Sequence, residues 1–130
     1  MADKKSIVFV VDDNEANLTA CKQMLKTHYA VYPALSAAKM FELLSHVKPD
    51  IILLDVEMPE MDGYEALQIL KSHDDHKEIP VMFLSARDDA GSAEHGCSLG
   101  AVDFLQKPFS SFMLLKRIEK IIANRNISPQ

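Results

Sequence analysis

Apolar residues fall along this chain in two rhythms that take turns. Four short stretches are apolar almost throughout: Ile7-Val8-Phe9-Val10-Val11, Tyr29-Ala30-Val31-Tyr32, Ile51-Ile52-Leu53-Leu54 and Val81-Met82-Phe83-Leu84. A fifth, mixed stretch runs from Ala101 to Leu105. β-Branched and aromatic runs of this length predict strands. Between them the apolar positions recur every three or four residues, at Leu18, Cys21, Met24 and Leu25, then at Met40, Phe41, Leu43 and Leu44, then at Leu67 and Leu70. The same spacing carries Leu114, Leu115, Ile118, Ile121 and Ile122 at the far end, and a weaker pattern spans Ala90 to Leu99 before Gly100. That period predicts amphipathic helices.

The punctuation agrees with this division. Ser36 stands where a helix N-cap belongs, Pro49-Asp50 and Pro80 each break a helix before a strand, and Asp62-Gly63 closes a loop. Strands without a polar face, alternating with helices, predict an α/β fold whose parallel sheet is covered on both sides. The chain has no internal repeat or low-complexity tract. We expect one domain over residues 1–124, with 125–130 a flexible tail or the start of a linker.

Composition narrows the class. A chain of 130 residues with 48% hydrophobic and 25% charged residues suits one water-soluble domain with a true core. Its longest apolar run is far too short to cross a bilayer, and no basic segment followed by an apolar run opens the chain. The expected compartment is the cytoplasm, so Cys21 and Cys97 are expected to be reduced, buried helix residues. A net charge of −5 argues against direct nucleic-acid binding and against anionic membranes.

Candidate chemistry collects at the ends of the predicted strands. Asp12 and Asp13 follow the first, Asp55 ends the third, Ser85 ends the fourth and Lys107 lies just past the fifth. Ligands of open parallel sheets bind outside the carboxyl ends of the strands, so these residues should meet at one edge. Three gathered carboxylates repel one another and call for a cation. Oxygen donors with room for water suit Mg²⁺. Lys107 offers a second positive charge and Ser85 a hydroxyl donor. Any one of them alone would read as a turn former, a cap or a solvated loop residue; the pattern at four strand ends is the signal.

Those residues sit in wording that resembles the response-regulator receiver family of two-component signalling. The match covers Val10-Val11-Asp12-Asp13-Asn14, the block from Leu53 through Asp55-Val56-Glu57-Met58-Pro59-Glu60-Met61-Asp62-Gly63, then Leu84-Ser85-Ala86, and Gly100-Ala101 through Lys107-Pro108-Phe109. The resemblance implies a flavodoxin-like, doubly wound, five-stranded sheet in the order 2-1-3-4-5. It implies that Asp55 accepts a phosphoryl group from a sensor histidine kinase or phosphotransfer protein. Asp12, Asp13, Asp55 and the backbone carbonyl of Glu57 would hold Mg²⁺, while Ser85 and Lys107 would bind phosphoryl oxygens. Phe104 matches an aromatic switch position paired with Ser85. Glu57 and Arg87 match positions that shape the lifetime of the phosphoryl group.

The same resemblance places the readout on the fourth helix, fifth strand and fifth helix, for an output domain or protein that the sequence does not name. Arg117 matches a position that makes dimer salt bridges in some receivers, so a phosphorylation-dependent homodimer stays open. The chain departs from that dimer pattern, with Val102-Asp103 at the expected acidic pair and His95 at the expected basic position. An enzyme working through an aspartyl phosphate is the main rival class, but those enzymes carry DxD where this chain has Asp55-Val56-Glu57. We therefore expect a signalling module, not an enzyme that turns over metabolites. His73-Asp74-Asp75-His76 is read as a solvated turn, because no third spaced ligand is near. Lys116, Arg117 and Lys120 are read as a solvated helix face.

Overall fold

A computed structural model describes residues 5–86 and 90–127. The strands are β1 (Ile7–Val11), β2 (Ala30–Ala34), β3 (Ile51–Asp55), β4 (Val81–Ser85) and β5 (Asp103–Gln106). The helices are α1 (Glu15–Leu25), α2 (Ala37–Leu44), α3 (Gly63–Lys71), α4 (Ala90–Ser98) and α5 (Ser111–Ile127). Strand and helix alternate strictly, and every strand pairing is parallel, in the order β2-β1-β3-β4-β5. This is the flavodoxin-like α/β arrangement that the apolar pattern and the resemblance imply.

Successive residues of a strand point to opposite faces, and both faces are covered. Phe9, Val11, Ile52, Leu54, Val81 and Phe83 pack with Met40 and Leu44 of α2 and Leu67 and Leu70 of α3. Val8, Val10, Ile51, Leu53, Met82 and Leu84 pack on the other side with Leu18, Cys21 and Leu25 of α1 and Leu114 and Ile118 of α5. All five residues of β3 and of β4 are buried. Each such apolar side chain contributes roughly 1.5–3 kcal/mol on leaving water, and both strands lie inside the sheet, with β3 at its centre.

Local chemistry fixes the helix starts. Asn14 accepts a hydrogen bond from the Asn17 amide at the head of α1, and Ser36 accepts one from Lys39 at the head of α2. At α3, Asp62 and Glu65 form a reciprocal capping box. Just before it, Glu60 takes a left-handed backbone conformation with φ 70°.

Three expectations shift. β2 begins at Ala30 and runs through Pro33 to Ala34, whereas the pattern predicts Tyr29 to Tyr32. Tyr29 is consumed by the end of α1, where its amide donates to the Leu25 carbonyl at 2.9 Å. Pro33 is tolerated because β2 is an edge strand with no second neighbour to supply. β5 begins at Asp103, not Ala101, because the α4 terminus takes Ala101: its amide donates to the Gly96 carbonyl at 3.1 Å, around Gly100 at φ 114°. Finally, Cys21 is buried as expected but Cys97 is exposed. Burial, with the charge of Asp12 adding to it and Lys107 opposing, pushes the Cys21 thiol up to about 11, which keeps it unreactive.

Candidate functional site

Parallel pairing brings the strand ends to one edge. Val11 lies beside Leu54, Asp55 beside Leu84, and Ser85 beside Gln106, so the residues just beyond β1, β3, β4 and β5 surround a common space. Asp12, Asp13 and Asp55 meet there, with one carboxylate oxygen from each lying within 4.8 Å of the others. Among the described residues no other group of three or more metal-ligating side chains gathers so closely.

Asp12 is 2% exposed and held on every side. Its Oδ1 accepts from the Asn14 amide at 2.9 Å, and its Oδ2 from Asn17 Nδ2 at 3.2 Å and from Lys107 Nζ at 2.9 Å. Lys107 also reaches Asp55 Oδ1 at 3.5 Å, so one ammonium bridges two buried carboxylates. Asp13 is exposed and opens the site to water. Ser85 is fully buried, and its carbonyl accepts from the Lys107 amide at 2.7 Å. That bond fixes the lysine backbone to the end of β4.

The electrostatics reflect this crowding. Burial pushes the Asp55 carboxyl from its ordinary range up to about 6; the charge of Asp12 adds to the rise, Lys107 opposes it, and Asp13 adds a little more. Burial pulls Lys107 down, but its hydrogen bond to Asp12 and the charges of Asp55 and Asp12 outweigh it, so the ammonium is held above its ordinary value. A site with three converging carboxylates and one lysine is still rich in negative charge. Hard oxygen donors within 4.8 Å of one another fit a divalent cation such as Mg²⁺.

The other predicted residues lie around this centre. Glu57 is exposed on the loop after β3. That loop folds tightly back, with the Gly63 amide donating to the Val56 carbonyl at 2.8 Å. A Cβ at Gly63 would stand 2.5 Å from the Asp55 carbonyl oxygen, so only glycine permits this approach. Phe104 is half-buried on β5 and meets Phe83 edge to face, with ring centroids 6.3 Å apart. Arg87 lies outside the described residues.

Arg117 is not simply solvated. Its Nη1 donates to both carboxylate oxygens of Asp103, at 2.9 and 2.8 Å, within the same chain. The His73 and His76 rings lie 5.8 Å apart, but His73 Nδ1 turns to the Ile69 carbonyl at 3.0 Å, and the stretch gathers no third ligand. Reading the sequence missed Asn14 and Asn17 as supports of Asp12. Asn14 reaches Asp12 through its backbone amide while its side chain caps α1, and it is the Asn17 side-chain amide that reaches back to the carboxylate.

Comparison with known proteins agrees with this geometry. Residues 8–119 match the model of the response regulator receiver domain. The chain belongs to this family, the receiver domains of two-component signalling. It is 37% identical over 115 residues to the response regulator PleD of Caulobacter vibrioides, covering 88% of this chain and 25% of that protein. It is 34% identical over 118 residues to a probable cyclic di-GMP phosphodiesterase of Vibrio cholerae, covering 91% of this chain and 27% of that one. The chain thus spans about a quarter of the length of these curated relatives. Among solved structures, the signal receiver domain of a signal transduction histidine kinase from Syntrophus aciditrophicus superposes with a TM-score of 0.85 at 28% identity, over 96% of each chain.

Proposed function

We propose that this domain is a phosphorylation-driven switch and that Asp55 is its acceptor. The observation that carries the reading is the single ammonium of Lys107 bridging buried Asp12 and Asp55 beside exposed Asp13. A site built this way offsets only part of its negative charge and leaves one carboxylate weakly held, by a 3.5 Å contact.

The chemistry is a displacement at phosphorus. An Asp55 carboxylate oxygen attacks the phosphoryl group of a phosphohistidine on a sensor histidine kinase or phosphotransfer protein. The P–N bond breaks, the imidazole leaves with the electron pair, and Asp55 becomes an acyl phosphate. Asp12, Asp13, Asp55 and the Glu57 backbone carbonyl would hold Mg²⁺, which when bound offsets the charge of the incoming phosphoryl oxygens. Lys107 then turns from the two carboxylates to a phosphoryl oxygen, and the Ser85 hydroxyl donates to another. Drawing Ser85 toward the site frees space for Phe104 to turn inward, and the surface of α4, β5 and α5 changes for an output domain or partner.

Water ends the state by attacking the acyl phosphate, and Glu57 with Arg87 governs its access and so the phosphoryl lifetime. The unit begins at residue 1 and runs past the expected boundary at 124, since α5 continues to Ile127, and it works in the cytoplasm without contacting nucleic acid or membrane itself. A phosphorylation-dependent homodimer has to break or work around the Arg117–Asp103 pair.

The test is direct. Incubated with Mg²⁺ and acetyl phosphate, the protein should gain one acyl phosphate, located by mass spectrometry at Asp55 and lost in Asp55→Asn. Label elsewhere, or none with Mg²⁺ bound, refutes the reading. Rapid turnover of a phosphorylated metabolite would point to an enzyme instead.

A further inference from the structure

The ring of Phe83 is where four elements of the fold meet. It is fully buried on β4, two residues before Ser85. A Cβ built on Gly96, in the last turn of α4, would lie 2.7 Å from its Cδ2, 2.9 Å from its Cε2 and 3.7 Å from Phe104 Cδ2. A Cβ on Gly63, at the head of α3, would lie 3.1 Å from its Cε1 while also striking the Asp55 carbonyl oxygen. Tyr64 of α3 meets the ring edge to face at 5.2 Å, and Phe104 of β5 does so at 6.3 Å. Tyr64 then continues to His95 of α4, edge to face at 4.6 Å.

Two glycines thus let two helix backbones close directly onto one aromatic ring. At Gly96 the ring itself leaves no room for a methyl group, and at Gly63 the Asp55 carbonyl oxygen leaves none. Protein interiors are close-packed and shift between discrete packings more readily than they deform smoothly. A movement of Phe104 that presses on Phe83 therefore meets the backbone of α4 at Gly96 directly, with no side chain between them. The ordinary case would be a side chain at position 96 that could adjust its own rotamer and absorb the change.

We propose that Phe83 is a positioning residue for the switch, which through the bare backbone of Gly96 locks the seat of α4 to the rotamer of Phe104. This rests on the phosphoacceptor reading, since it describes how the event at Asp55 reaches the surface. Phe83 touches no reacting atom and acts only by packing. Its partners are Gly96 and Phe104 on the output side, and Gly63 and Tyr64 on the side of the acceptor loop.

The experiment uses Mg²⁺ with beryllofluoride, a phosphoryl mimic, and follows amide NMR shifts of α4 alongside binding at the Asp55 site. Phe83→Leu, which opens space, should bind beryllofluoride within about threefold of the parent yet lose more than half of the α4 response. Gly96→Ala approaches the same contact from the helix and should lose the response as well. The double variant puts the new methyl group into the space left by the ring and should regain most of it. Additive losses in the double variant, with no recovery of the α4 response, overturn the proposal. A full α4 response in Phe83→Leu overturns it too. If the parent itself binds no beryllofluoride, the phosphoacceptor reading falls and this one with it; normal binding with unchanged coupling removes only this one.

Discussion

Replacing Asp55 by asparagine should make the metal-free protein more stable near neutral pH, by an amount that vanishes in acid. The folded protein pushes the Asp55 carboxyl from 3.8 up to about 6, chiefly through burial. A raised carboxyl favours the folded state while it is protonated. That advantage is complete below the unfolded value and is lost as pH rises through about 6. A rise of about 2.2 pKa units, from 3.8 to about 6, corresponds to about 3 kcal/mol at 1.36 kcal/mol per unit. Water entering beside exposed Asp13 weakens the effect, so we expect Asp55→Asn to gain about 1–3 kcal/mol at pH 7.5 and under about 0.6 kcal/mol at pH 4. The assay is urea unfolding of both proteins in EDTA at several pH values. Adding Mg²⁺ at about 100 times its Kd should then return about 2.7 kcal/mol to the parent. A difference that stays constant with pH, or an asparagine variant less stable at pH 7.5, would refute the reasoning.

Other perturbations probe separate parts of the structure. Lys107→Met removes the charge and hydrogen bond that hold Asp55 down, so the Asp55 pKa should climb further above about 6; a carboxyl-carbon NMR titration in EDTA checks it, and a fall would contradict the bridge. Glu60→Gly relieves a left-handed backbone at φ 70° and should stabilise by about 0.5–1 kcal/mol in urea unfolding, after the entropy lost to the more flexible glycine. Arg117→Ala breaks a pair whose side chains are 39% and 28% exposed, so it should cost about 0.5–1 kcal/mol at low salt and less at 1 M. A larger, salt-independent loss would mean that the pair is a packing element.

The sheet and the acidic site were legible in the sequence for the same reason. Strands buried on both faces announce themselves as unbroken apolar runs, and the residue that ends or succeeds each run must lie at the edge of the sheet. The spacing alone therefore brings Asp12, Asp13, Asp55, Ser85 and Lys107 together. The sequence hid events decided by neighbours. Tyr29 and Ala101 look like strand residues, yet helix ends claim their amides. Cys97 sits on a helical stretch, but nothing in its spacing shows that α4 turns it to water. Arg117 and Asp103 are 14 residues apart, and only the packing of α5 against β5 makes them partners. Phe83 reads as one more core aromatic, because the glycines that press on it come from two other elements.

Pro33 has a consequence for how this protein behaves among copies of itself. An open sheet ends in two strands whose outer backbone could recruit a stranger, and such borders are the usual starting points of strand-to-strand aggregation. Here one border carries an exposed proline, which has no amide hydrogen to offer, and the other is a strand of only four residues. Neither can template a sixth strand of useful length. Contacts with other proteins then fall to side chains, those of β5 included, where a passing change of charge can make or break them.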